Sequence, residues 1–596
     1  MMYVMATAGH VDHGKSTLVR ALTGTEPDRW EEERRRGLTI DLGFAAMTLP
    51  SGRVLSFVDV PGHERFLGNM LAGLGPAPMV CFVVAADQGW QAQSSDHRDA
   101  VAALGIDSGL IVITRTDRAP GRAPEVLEQA RRELAGTGLE AAPAVAVSAA
   151  QGSGLTELRE TLDSVLAHAP RPAPDTPVRM WVDRAFSLRG AGTVVTGTLA
   201  AGSLHQEQRL QLLGAAVDET VSVRGLQARH HEVETLEAVD RAAVNLRGAP
   251  TERLARGDML LTPGAWHLTT VIDVRHSTGE SFEDAPQSLT VHLGTAAVPA
   301  RCRRFDNLHA RLTLDRPLPA RIGDRVLLQG SSSRPVRAGA LVLDVEPPQL
   351  HRRGAGRRRA EALANMPPDG DLLGEVTRRT AVKEDALIRM GLEVPTELGP
   401  EVERVGSWLV DANQMQHWAG RLRAAVEQHL DQDPLSAGLS AGAAADRLSL
   451  PDRALLSPLV SQAGLLHSAG LITSPRFRLS MGPAEASVVD LENQLAAAPF
   501  LAPEAQRLTE LGLTERELAA AERQDRILRL AGGVILLPSA PARAMGVLSR
   551  LDQPFTMSAA RQALSTSRRV AVPLLEHLDS RGWTRRVDAA LREVVR

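Results

Sequence analysis

The sequence predicts a protein of several domains: an α/β domain with a parallel sheet, two β-barrels, and a C-terminal array of winged-helix units that mix helices and strands. Three observations support this fold class. Apolar runs of strand length alternate with helical stretches from Met1 to about Ala169, short β-rich runs between glycine turns follow, and helices with paired strands fill the rest. A chain of 596 residues is also too long for one domain of roughly 100 to 200 residues.

The composition excludes several classes of protein. Hydrophobic residues make up 43% and charged residues 23%, close to globular averages, so a disordered chain or a coiled coil is not expected. The two cysteines, Cys81 and Cys302, cannot form a disulfide framework and indicate a reducing compartment. No apolar run of about 18 residues and no leader segment stand out, so we expect a soluble cytoplasmic protein that makes no membrane contact.

The first domain is predicted to span residues 1–170. Its expected strands are Tyr3 to Thr7, Val54 to Val60, Met79 to Ala86, Leu110 to Thr114 and Ala144 to Ser148, and its expected helices include Thr17 to Leu22 and Pro124 to Ala135. The segment from His168 to Pro177 holds four prolines and is typical of a stiff linker. A domain boundary is therefore predicted there.

Beyond the linker, glycine turns separate short strands, which is typical of small barrels. From about residue 351 the periodicity becomes helical, and helices followed by short paired strands predict four winged-helix units. The predicted boundaries are 178–265 and 266–350 for the barrels, and 351–425, 426–483, 484–540 and 541–596 for the winged-helix units.

A phosphate-binding loop is predicted near the N-terminus. Residues Gly9 to Ser16 match the pattern G-x-x-x-x-G-K-[ST] between a strand and a helix. Lys15 is one of only two lysines, with Lys383, in a chain of 67 Lys and Arg residues, which favours a chemical reason for its presence. Backbone amides would face the phosphates and Ser16 would bind Mg²⁺. The nucleotide-binding residues predicted here are Gly9, His10, Val11, Asp12, His13, Gly14, Lys15, Ser16 and Thr17.

Four further residues are expected on the phosphate side. Asp59 lies in D-x-x-G at the end of an apolar strand and would act on the magnesium, while the Gly62 amide would face the γ-phosphate. Thr39 would bind the same ion and order a switch segment. The alternative is that it is a solvent-facing threonine in a strand. His63 follows the Pro-Gly turn and is the candidate catalytic residue, because it could order the attacking water.

The base pocket is predicted from two strand ends. In Thr114-Arg115-Thr116-Asp117 the carboxylate of Asp117 can accept two hydrogen bonds from guanine, a donor pair that adenine lacks. Ser148 and Ala149 would complete the pocket. The usual pattern has lysine where Arg115 stands, and the arginine stem can pack over the base in the same way. GTP or GDP with Mg²⁺ is therefore the expected ligand, and GTP hydrolysis to GDP and phosphate the expected reaction.

The motifs together resemble the translational GTPases of the elongation factor Tu group. The resemblance rests on Gly9 to Thr17, on Arg36-Gly-Leu-Thr-Ile40 and on Asp59-Val-Pro-Gly-His-Glu64. Within that group, Thr39 to Phe44, Val182 to Gly197 and a C-terminal basic segment are similar to the bacterial selenocysteine-specific elongation factors. The resemblance implies that His63 is catalytic and that Val11 and Leu38 form an apolar gate in front of it.

The resemblance also implies a function. It predicts delivery of selenocysteinyl-tRNA to the ribosome at a UGA codon marked by an mRNA hairpin, with ribosome-stimulated GTP hydrolysis, by a protein that we expect to be a monomer. Two alternatives stay open: a general aminoacyl-tRNA carrier or stress GTPase with an RNA-binding extension, and a non-catalytic RNA regulator that uses GTP only as a structural ligand.

The family's aminoacyl pocket corresponds to Asp183, Arg184 and Arg241. A selenol is ionised at neutral pH, whereas cysteine is mostly neutral and serine wholly so, and two guanidinium groups would favour the anion. A charge-assisted hydrogen bond of roughly 1.5 to 3 kcal/mol corresponds to about ten- to 150-fold discrimination. Without the resemblance, Asp183 and Arg184 would more simply be an ion pair at a strand end.

RNA binding is predicted at the C-terminus. From Pro541 to Arg596 ten arginines face five acidic residues, in a chain whose net charge is -4. Arg568 and Arg569 are expected to open a recognition helix in which Pro573 makes a bend or marks the first turn, and Arg585 and Arg586 are expected on the wing. A solvated basic surface is the alternative. The arginines of segment 352–359 could contact tRNA or only solubilise a linker.

Overall fold

The computed structural model describes residues 2–27, 39, 41–63, 66–169, 172–188, 192–229, 231–249, 251–330, 336–433, 435–475 and 480–595. They form two compact units, Met1–Glu375 with Lys383–Thr396, and Val376–Val382 with Glu397–Arg596. Within these ranges, no helix is long and apolar enough to cross a membrane.

The N-terminal α/β domain is built on a six-stranded sheet. Its strands are β1 Met2–Ala8, β2 Gly43–Thr48, β3 Val54–Asp59, β4 Met79–Ala85, β5 Gly109–Thr114 and β6 Ala144–Ala146. The order is β2-β3-β1-β4-β5-β6, with β2 antiparallel to β3 and the other pairs parallel. Strand β4 is buried at every position, as expected for a central strand covered on both faces. The predicted parallel sheet is confirmed.

Five helices of this domain lie in the described residues: α1 Lys15–Thr23, α2 Leu67–Leu74, α3 Ala92–Ala103, α4 Ala123–Leu134 and α5 Leu155–Ala167. The predicted proline lies in the first turn of α4, where its missing N–H is not needed. Because parallel strands end at one edge of the sheet, the loops after β1, β3 and β5 meet there.

Two closed barrels follow, as predicted. The strands of the first are β7 Arg179–Leu188, β8 Gly192–Ala201, β10 Arg209–Leu213, β11 Asp218–Ala228, β14 Asp240–Arg247 and β15 Met259–Leu261, with β9 Ser203–His205, β12 His231–Val233 and β13 Thr235–Glu237 in side pairings. The order β10-β15-β7-β8-β14-β11 closes through pairing of β10 with β11. The second barrel, in the order β16-β19-β18-β17-β20-β21, consists of β16 Thr269–Gly279, β17 Ser288–Leu293, β18 Ala296–Arg304, β19 His309–Leu318, β20 Arg325–Gln329 and β21 Ala338–Asp344.

The arginine-rich segment 352–359 forms helix α6, Ala355–Ala364, which packs on the second barrel. Arg359 is buried there, with Nε 2.7 Å from Asp273 and Nη2 2.5 Å from Asp344. The segment was predicted to contact tRNA or to solubilise a linker. Neither role fits Arg359, because a buried arginine paired with two carboxylates holds the structure together. Residues 351–366 belong with the barrel, and the winged-helix unit predicted from residue 351 is correspondingly shorter.

The remaining helices are α7 Leu372–Arg379, α8 Glu384–Met390, α9 Ala412–Gln432, α10 Ala441–Leu448, α11 Leu456–Gln462, α12 Glu485–Ala497, α13 Ala505–Glu510, α14 Glu515–Arg523, α15 Ala540–Leu548, α16 Met557–Ala563 and α17 Arg568–Ser580. The remaining strands are β22 Ala381–Lys383, β23 Val402–Val405, β24 Trp408–Asp411, β25 Leu439–Ser440, β26 Leu466–Ser468, β27 Leu471–Thr473, β28 Leu528–Leu530, β29 Val534–Leu536, β30 Phe555–Thr556, β31 Thr584–Arg586 and β32 Leu591–Val594. Helices followed by a hairpin recur along the second unit, which is the winged-helix pattern predicted for the tail.

Two details differ from the sequence prediction. Helix α9 runs through residue 425, so the boundary placed there falls inside a continuous helix whose cap is Asp411. Pro573 lies in the middle of α17 and does not mark its first turn. The last two winged-helix units also share one apolar core, which includes Leu491 and Leu574.

Candidate nucleotide and aminoacyl sites

The phosphate loop leaves β1 and enters α1 through a short turn, Val11–His13. Gly9 has φ +127°, and a Cβ there would collide with the carbonyl oxygen of Val83, so only glycine fits this position. The ammonium of Lys15 is buried and donates to the carbonyl oxygens of Gly9 and His10, each at 2.9 Å. The loop therefore holds a cation where phosphates would lie, at the start of a helix.

The other predicted loop residues occupy this same turn. His13 is buried, with Nδ1 3.2 Å from the Val83 carbonyl, and burial lowers the pKa of His13 to about 3. Its ring is therefore neutral and acts structurally. Asp12 and Thr17 are exposed, while Val11, Gly14 and Ser16 are half-buried.

Helix α3 fixes the backbone of the phosphate loop, which the sequence did not predict. The N–H of Gly9 donates to Nδ1 of His97 at 3.2 Å, and the N–H of Val11 donates to Oε1 of Gln93 at 3.3 Å. Gln93 and His97 are four positions apart, so both lie on one face of the helix. Burial holds the pKa of His97 well below its ordinary value, which keeps the ring neutral and able to accept.

Three oxygen donors meet beside the phosphate loop. The hydroxyl oxygens of Ser16 and Thr39 are 3.0 Å apart. Asp59 accepts from the Thr7 hydroxyl at 2.7 Å through Oδ1, whereas its Oδ2 is buried and has no hydrogen-bond partner among the described residues. Burial raises the pKa of Asp59, while the charge of Lys15 lowers it. An unsatisfied carboxylate oxygen beside two hydroxyls is a donor set that suits Mg²⁺.

The D-x-x-G turn packs directly on the phosphate loop. A Cβ on Gly62 would lie 2.6 Å from Nζ of Lys15 and 2.6 Å from the backbone N of Val11, so a side chain there would displace the loop. His63 follows, half-buried, with its ring centroid 6.1 Å from that of Phe66. Leu38, the other residue of the predicted gate, and positions 36, 37 and 40 of the switch motif lie outside the described residues.

The predicted base-pocket residues also come together. Ser148 donates its hydroxyl to Asp117 at 2.6 Å, and this hydrogen bond lowers the pKa of the Asp117 carboxyl. Thr114 donates to the carbonyl of His13 at 2.6 Å, which ties the base side to the phosphate loop. The Arg115 backbone has φ +53°, and its Nη1 is 3.6 Å from Asp87. Strand β6 ends at Ala146, so Ser148 and the half-buried Ala149 lie in the loop beyond it.

A cavity of about 460 Å³ lies between the α/β domain and the first barrel. Three guanidinium groups line it, from Arg184, Arg229 and Arg241, together with apolar side chains such as Phe44 and Phe186. No carboxylate is present among the described residues that line it. A cavity with this lining attracts a small anionic or polarisable group.

Arg241 is held rigidly in this cavity. It forms a bidentate ion pair with Asp183 and donates to the Thr196 hydroxyl at 3.3 Å. Its guanidinium carbon lies 3.3 Å from the centroid of the Phe44 ring. Asp183 is buried behind Arg241 and does not line the cavity. Its position supports orientation of Arg241 rather than contact with a ligand.

Arg184 is oriented by the α/β domain. Its Nη2 donates to Oδ2 of Asp41 at 2.8 Å and to the carbonyl of Leu42 at 2.7 Å, and its guanidinium carbon lies 5.3 Å from the Phe44 ring centroid. The sequence motif that contains Asp41 and Phe44 was recognised, but no signal in it indicated these contacts. Arg229 also lines the cavity, and no sequence motif indicated this.

The four arginines predicted to bind RNA have different surroundings. Arg568 begins α17, is exposed, and makes no ion pair among the described residues. Arg569 instead donates to the carbonyls of Ala502 and Pro503, at 3.3 Å and 3.0 Å, so it also joins the last two winged-helix units.

Arg585 and Arg586 lie on β31, one strand of the predicted wing, and both are exposed. Arg585 pairs with Glu593 at 2.5 Å, and Arg586 lies 3.5 Å from Glu576. Trp583, next to this strand, is 39% exposed.

Family models match four stretches of the chain. The elongation factor Tu GTP-binding domain matches residues 2–168 and elongation factor Tu domain 2 matches residues 192–261. The β-barrel domain of the selenocysteine-specific elongation factor matches residues 269–349, and the winged helix of elongation factor SelB matches residues 547–590.

Whole-chain comparisons agree with these models. The selenocysteine-specific elongation factor of Escherichia coli (strain K12) is 32% identical, over 98% of this chain and 97% of that protein. The one from Desulfomicrobium baculatum is 29% identical, over 98% of this chain and 99% of that protein. A crystal structure of the bacterial selenocysteine-specific elongation factor EF-Sec shares the fold, with a TM-score of 0.78 and 24% identity over 100% of both chains. The chain therefore belongs to the bacterial selenocysteine-specific elongation factors, which are translational GTPases with a GTP-binding domain of the elongation factor Tu type.

Proposed function

We propose that this protein, in its GTP form, binds selenocysteinyl-tRNA, is tethered by an mRNA hairpin, and delivers its cargo to ribosomes at UGA codons. The observation that carries the proposal is the arginine-lined cavity between the α/β domain and the first barrel. It holds Arg184, Arg229 and Arg241 and, within the described residues, no lining carboxylate.

The chemistry of the cavity suits a selenolate. Asp183 and Asp41 lie behind their arginines, so each guanidinium is oriented while N–H donors remain for a ligand. The partner groups thus fix geometry without adding a negative charge to the lining. A guanidinium hydrogen bond to the anionic selenolate is worth about 1.5 to 3 kcal/mol, or about ten- to 150-fold in affinity, and a neutral serine hydroxyl would accept only a weaker bond from the same group.

The nucleotide site supports magnesium-dependent GTP hydrolysis. Ser16, Thr39 and Asp59 would hold Mg²⁺, which when bound neutralises charge on the phosphates. Lys15 adds a second positive charge, and His63 orders the water that attacks the γ-phosphate. Turnover is expected to rise on the ribosome, when His63 reaches that water.

The last winged-helix unit would bind the hairpin. Arg568 lies at a helix N-terminus and makes no ion pair within the part of the chain that the structure describes, and both features favour phosphate binding. Arg585 and Arg586 would contact the backbone from the wing, exchanging exposed ion pairs for phosphates at little cost. Arg569 contributes less directly, because it already joins two winged-helix units.

The test is a binding titration of the GTP form with selenocysteinyl-, cysteinyl- and seryl-tRNA. A preference of tenfold or more for selenocysteinyl- over seryl-tRNA is expected, and Arg241→Met should abolish it. Arg247→Met is a matched control, because Arg247 lies on the same strand and does not line the cavity. Equal affinity for the three tRNAs would favour a general aminoacyl-tRNA carrier or a stress GTPase instead.

A further inference from the structure

One short segment of the α/β domain contacts both functional sites. At one end, the Thr39 hydroxyl lies 3.0 Å from that of Ser16 in the magnesium site. At the other end, Phe44 lies under the guanidiniums of Arg184 and Arg241 in the aminoacyl cavity. Thr39 and Asp41 are two positions apart, a span of at most about 7 Å, so a displacement of Thr39 that exceeds the slack in this link also displaces Asp41.

Asp41 is the charged link within this segment. Its two carboxylate oxygens accept from two arginines of the first barrel, Oδ2 from Arg184 and Oδ1 from Arg256, each at 2.8 Å. The next carbonyl, of Leu42, accepts from the same Nη2 of Arg184 at 2.7 Å. Burial raises the pKa of Asp41, but the charge of Arg184 and the hydrogen bonds outweigh it, and the net shift is downward. The carboxylate is therefore ionised at neutral pH.

The two arginines have different surroundings. Arg184 lines the aminoacyl cavity, whereas Arg256 does not and instead also donates to Asn69 on α2. Arg256 thus joins Asp41 to the body of the α/β domain and the barrel, and Arg184 joins Asp41 to the cavity. One carboxylate serves both contacts.

We propose that Asp41 is a positioning residue that transmits the nucleotide state to the aminoacyl cavity through Arg184. The proposal rests on the function proposed above. With GTP and Mg²⁺ bound, Thr39 is held and Asp41 keeps Arg184 pointing into the cavity. After hydrolysis the γ-phosphate no longer orders the segment, Asp41 moves, and Arg184 loses both oriented acceptors. The cavity then binds a selenolate less tightly, so cargo affinity falls with the change of nucleotide.

The experiment measures affinity for selenocysteinyl-tRNA with GTP and with GDP, in the full-length protein and in Asp41→Asn. Asparagine keeps an oxygen acceptor of the same shape but removes the charge. In Asp41→Asn, we expect the ratio of the affinity for selenocysteinyl-tRNA with GTP to that with GDP to fall at least tenfold. Binding of selenocysteinyl-tRNA also increases the preference of the protein for GTP over GDP, and by linkage this increase should fall by the same factor in Asp41→Asn. A loss of folding alone would not change both quantities equally.

Two further variants separate this role from domain packing. Arg184→Met should reduce the ratio, and adding Asp41→Asn to it should change the ratio less than twofold further, because both changes break one link. Arg256→Met breaks the other contact of Asp41 and should leave the ratio within threefold of the unaltered protein. Additive effects of Asp41→Asn and Arg184→Met, or a loss in Arg256→Met as large as in Asp41→Asn, would overturn the proposal.

The outcome also distinguishes this proposal from the function on which it rests. If Arg241→Met abolishes the preference for selenocysteinyl-tRNA while Asp41→Asn keeps the full nucleotide ratio, the coupling role of Asp41 is wrong and the cargo assignment stands. If Arg241→Met leaves the preference for selenocysteinyl-tRNA unchanged, the cavity does not discriminate between aminoacyl groups and both proposals fail.

Discussion

The backbone N–H of Gly9 donates to Nδ1 of His97, a side chain 88 positions later in the chain. This hydrogen bond fixes the first glycine of the phosphate loop from helix α3, which carries none of the predicted phosphate-binding residues. The loop is therefore shaped by α3 as well as by its own glycines.

Replacing His97 by leucine should weaken binding of both GTP and GDP. A buried N–H left without an acceptor costs about 1 to 3 kcal/mol, or about five- to 150-fold in affinity if the loop must distort to satisfy it. Equilibrium titration with labelled nucleotide measures the change. His97→Asn is the matched control, because the amide oxygen can replace Nδ1 and should restore most of the affinity. Unchanged affinity in His97→Leu would show that the loop holds its shape alone.

His63→Ala should abolish the stimulation of GTP hydrolysis by ribosomes. Loss of a group that acts on the attacking water typically lowers the rate by about 10² to 10⁴. Single-turnover hydrolysis with saturating ribosomes measures the chemical step, and GTP affinity is measured in parallel. Stimulated turnover at the original rate would refute the role assigned to His63.

Asp240→Asn should stabilise the protein at neutral pH but not in acid. Asp240 is buried in the first barrel, where burial raises its pKa to about 6, and its Oδ2 has no hydrogen-bond partner among the described residues. An unfolded aspartate titrates near 3.9. Between those values the folded state binds more protons than the unfolded state, so stability falls as pH rises from about 4 to 6.

Removing that titration should add at most about 3 kcal/mol to the free energy of unfolding above pH 6, at 1.36 kcal/mol per pKa unit. Asparagine can still accept from the N–H of Arg241, which donates to Oδ1 of Asp240 at 2.7 Å. Thermal unfolding at pH 4.5 and pH 7.5 measures the effect. A gain of equal size at both pH values would contradict this account.

Arg568→Ala and Arg569→Ala should have separable effects on the C-terminal tail. Arg568→Ala removes one proposed phosphate contact, so hairpin binding should weaken and the slope of log affinity against log salt should decrease by about 1. Arg569→Ala removes the donor to two carbonyls of the preceding unit, so its main effect should be a lower unfolding temperature. The measurements are RNA titrations at several salt concentrations and thermal unfolding. Equal loss of binding with no change in unfolding temperature would restore Arg569 as a direct RNA contact.

Motifs with short spacings predicted the local structure around the candidate nucleotide site. The pattern from Gly9 to Ser16 requires a turn before a helix, and Asp117 and Ser148 each follow a strand of one parallel sheet. Strand order brings such loop residues to the same edge without further information. The fold class followed similarly from the change between strand and helix periodicity.

The residues that were missed are joined by contacts distant in sequence. Asp41 meets Arg184 across 143 positions and Arg256 across 215, and no local pattern marks such a pair. Arg569 was correctly placed at a helix start, but its two carbonyl partners lie in another unit. From the sequence, Arg359 is expected to be a surface charge, and only the fold brings Asp273 and Asp344 into contact with it. These outcomes depend on docking between elements, which periodicity does not specify.

The single apolar core shared by the last two winged-helix units has a practical consequence for dissection of the protein. A fragment cut near residue 540 to isolate the RNA-binding end would leave Leu491 and its neighbours on the discarded piece and open the other half of that core to water. Such a fragment should aggregate, whereas one that starts before Met481 retains every buried residue of that core.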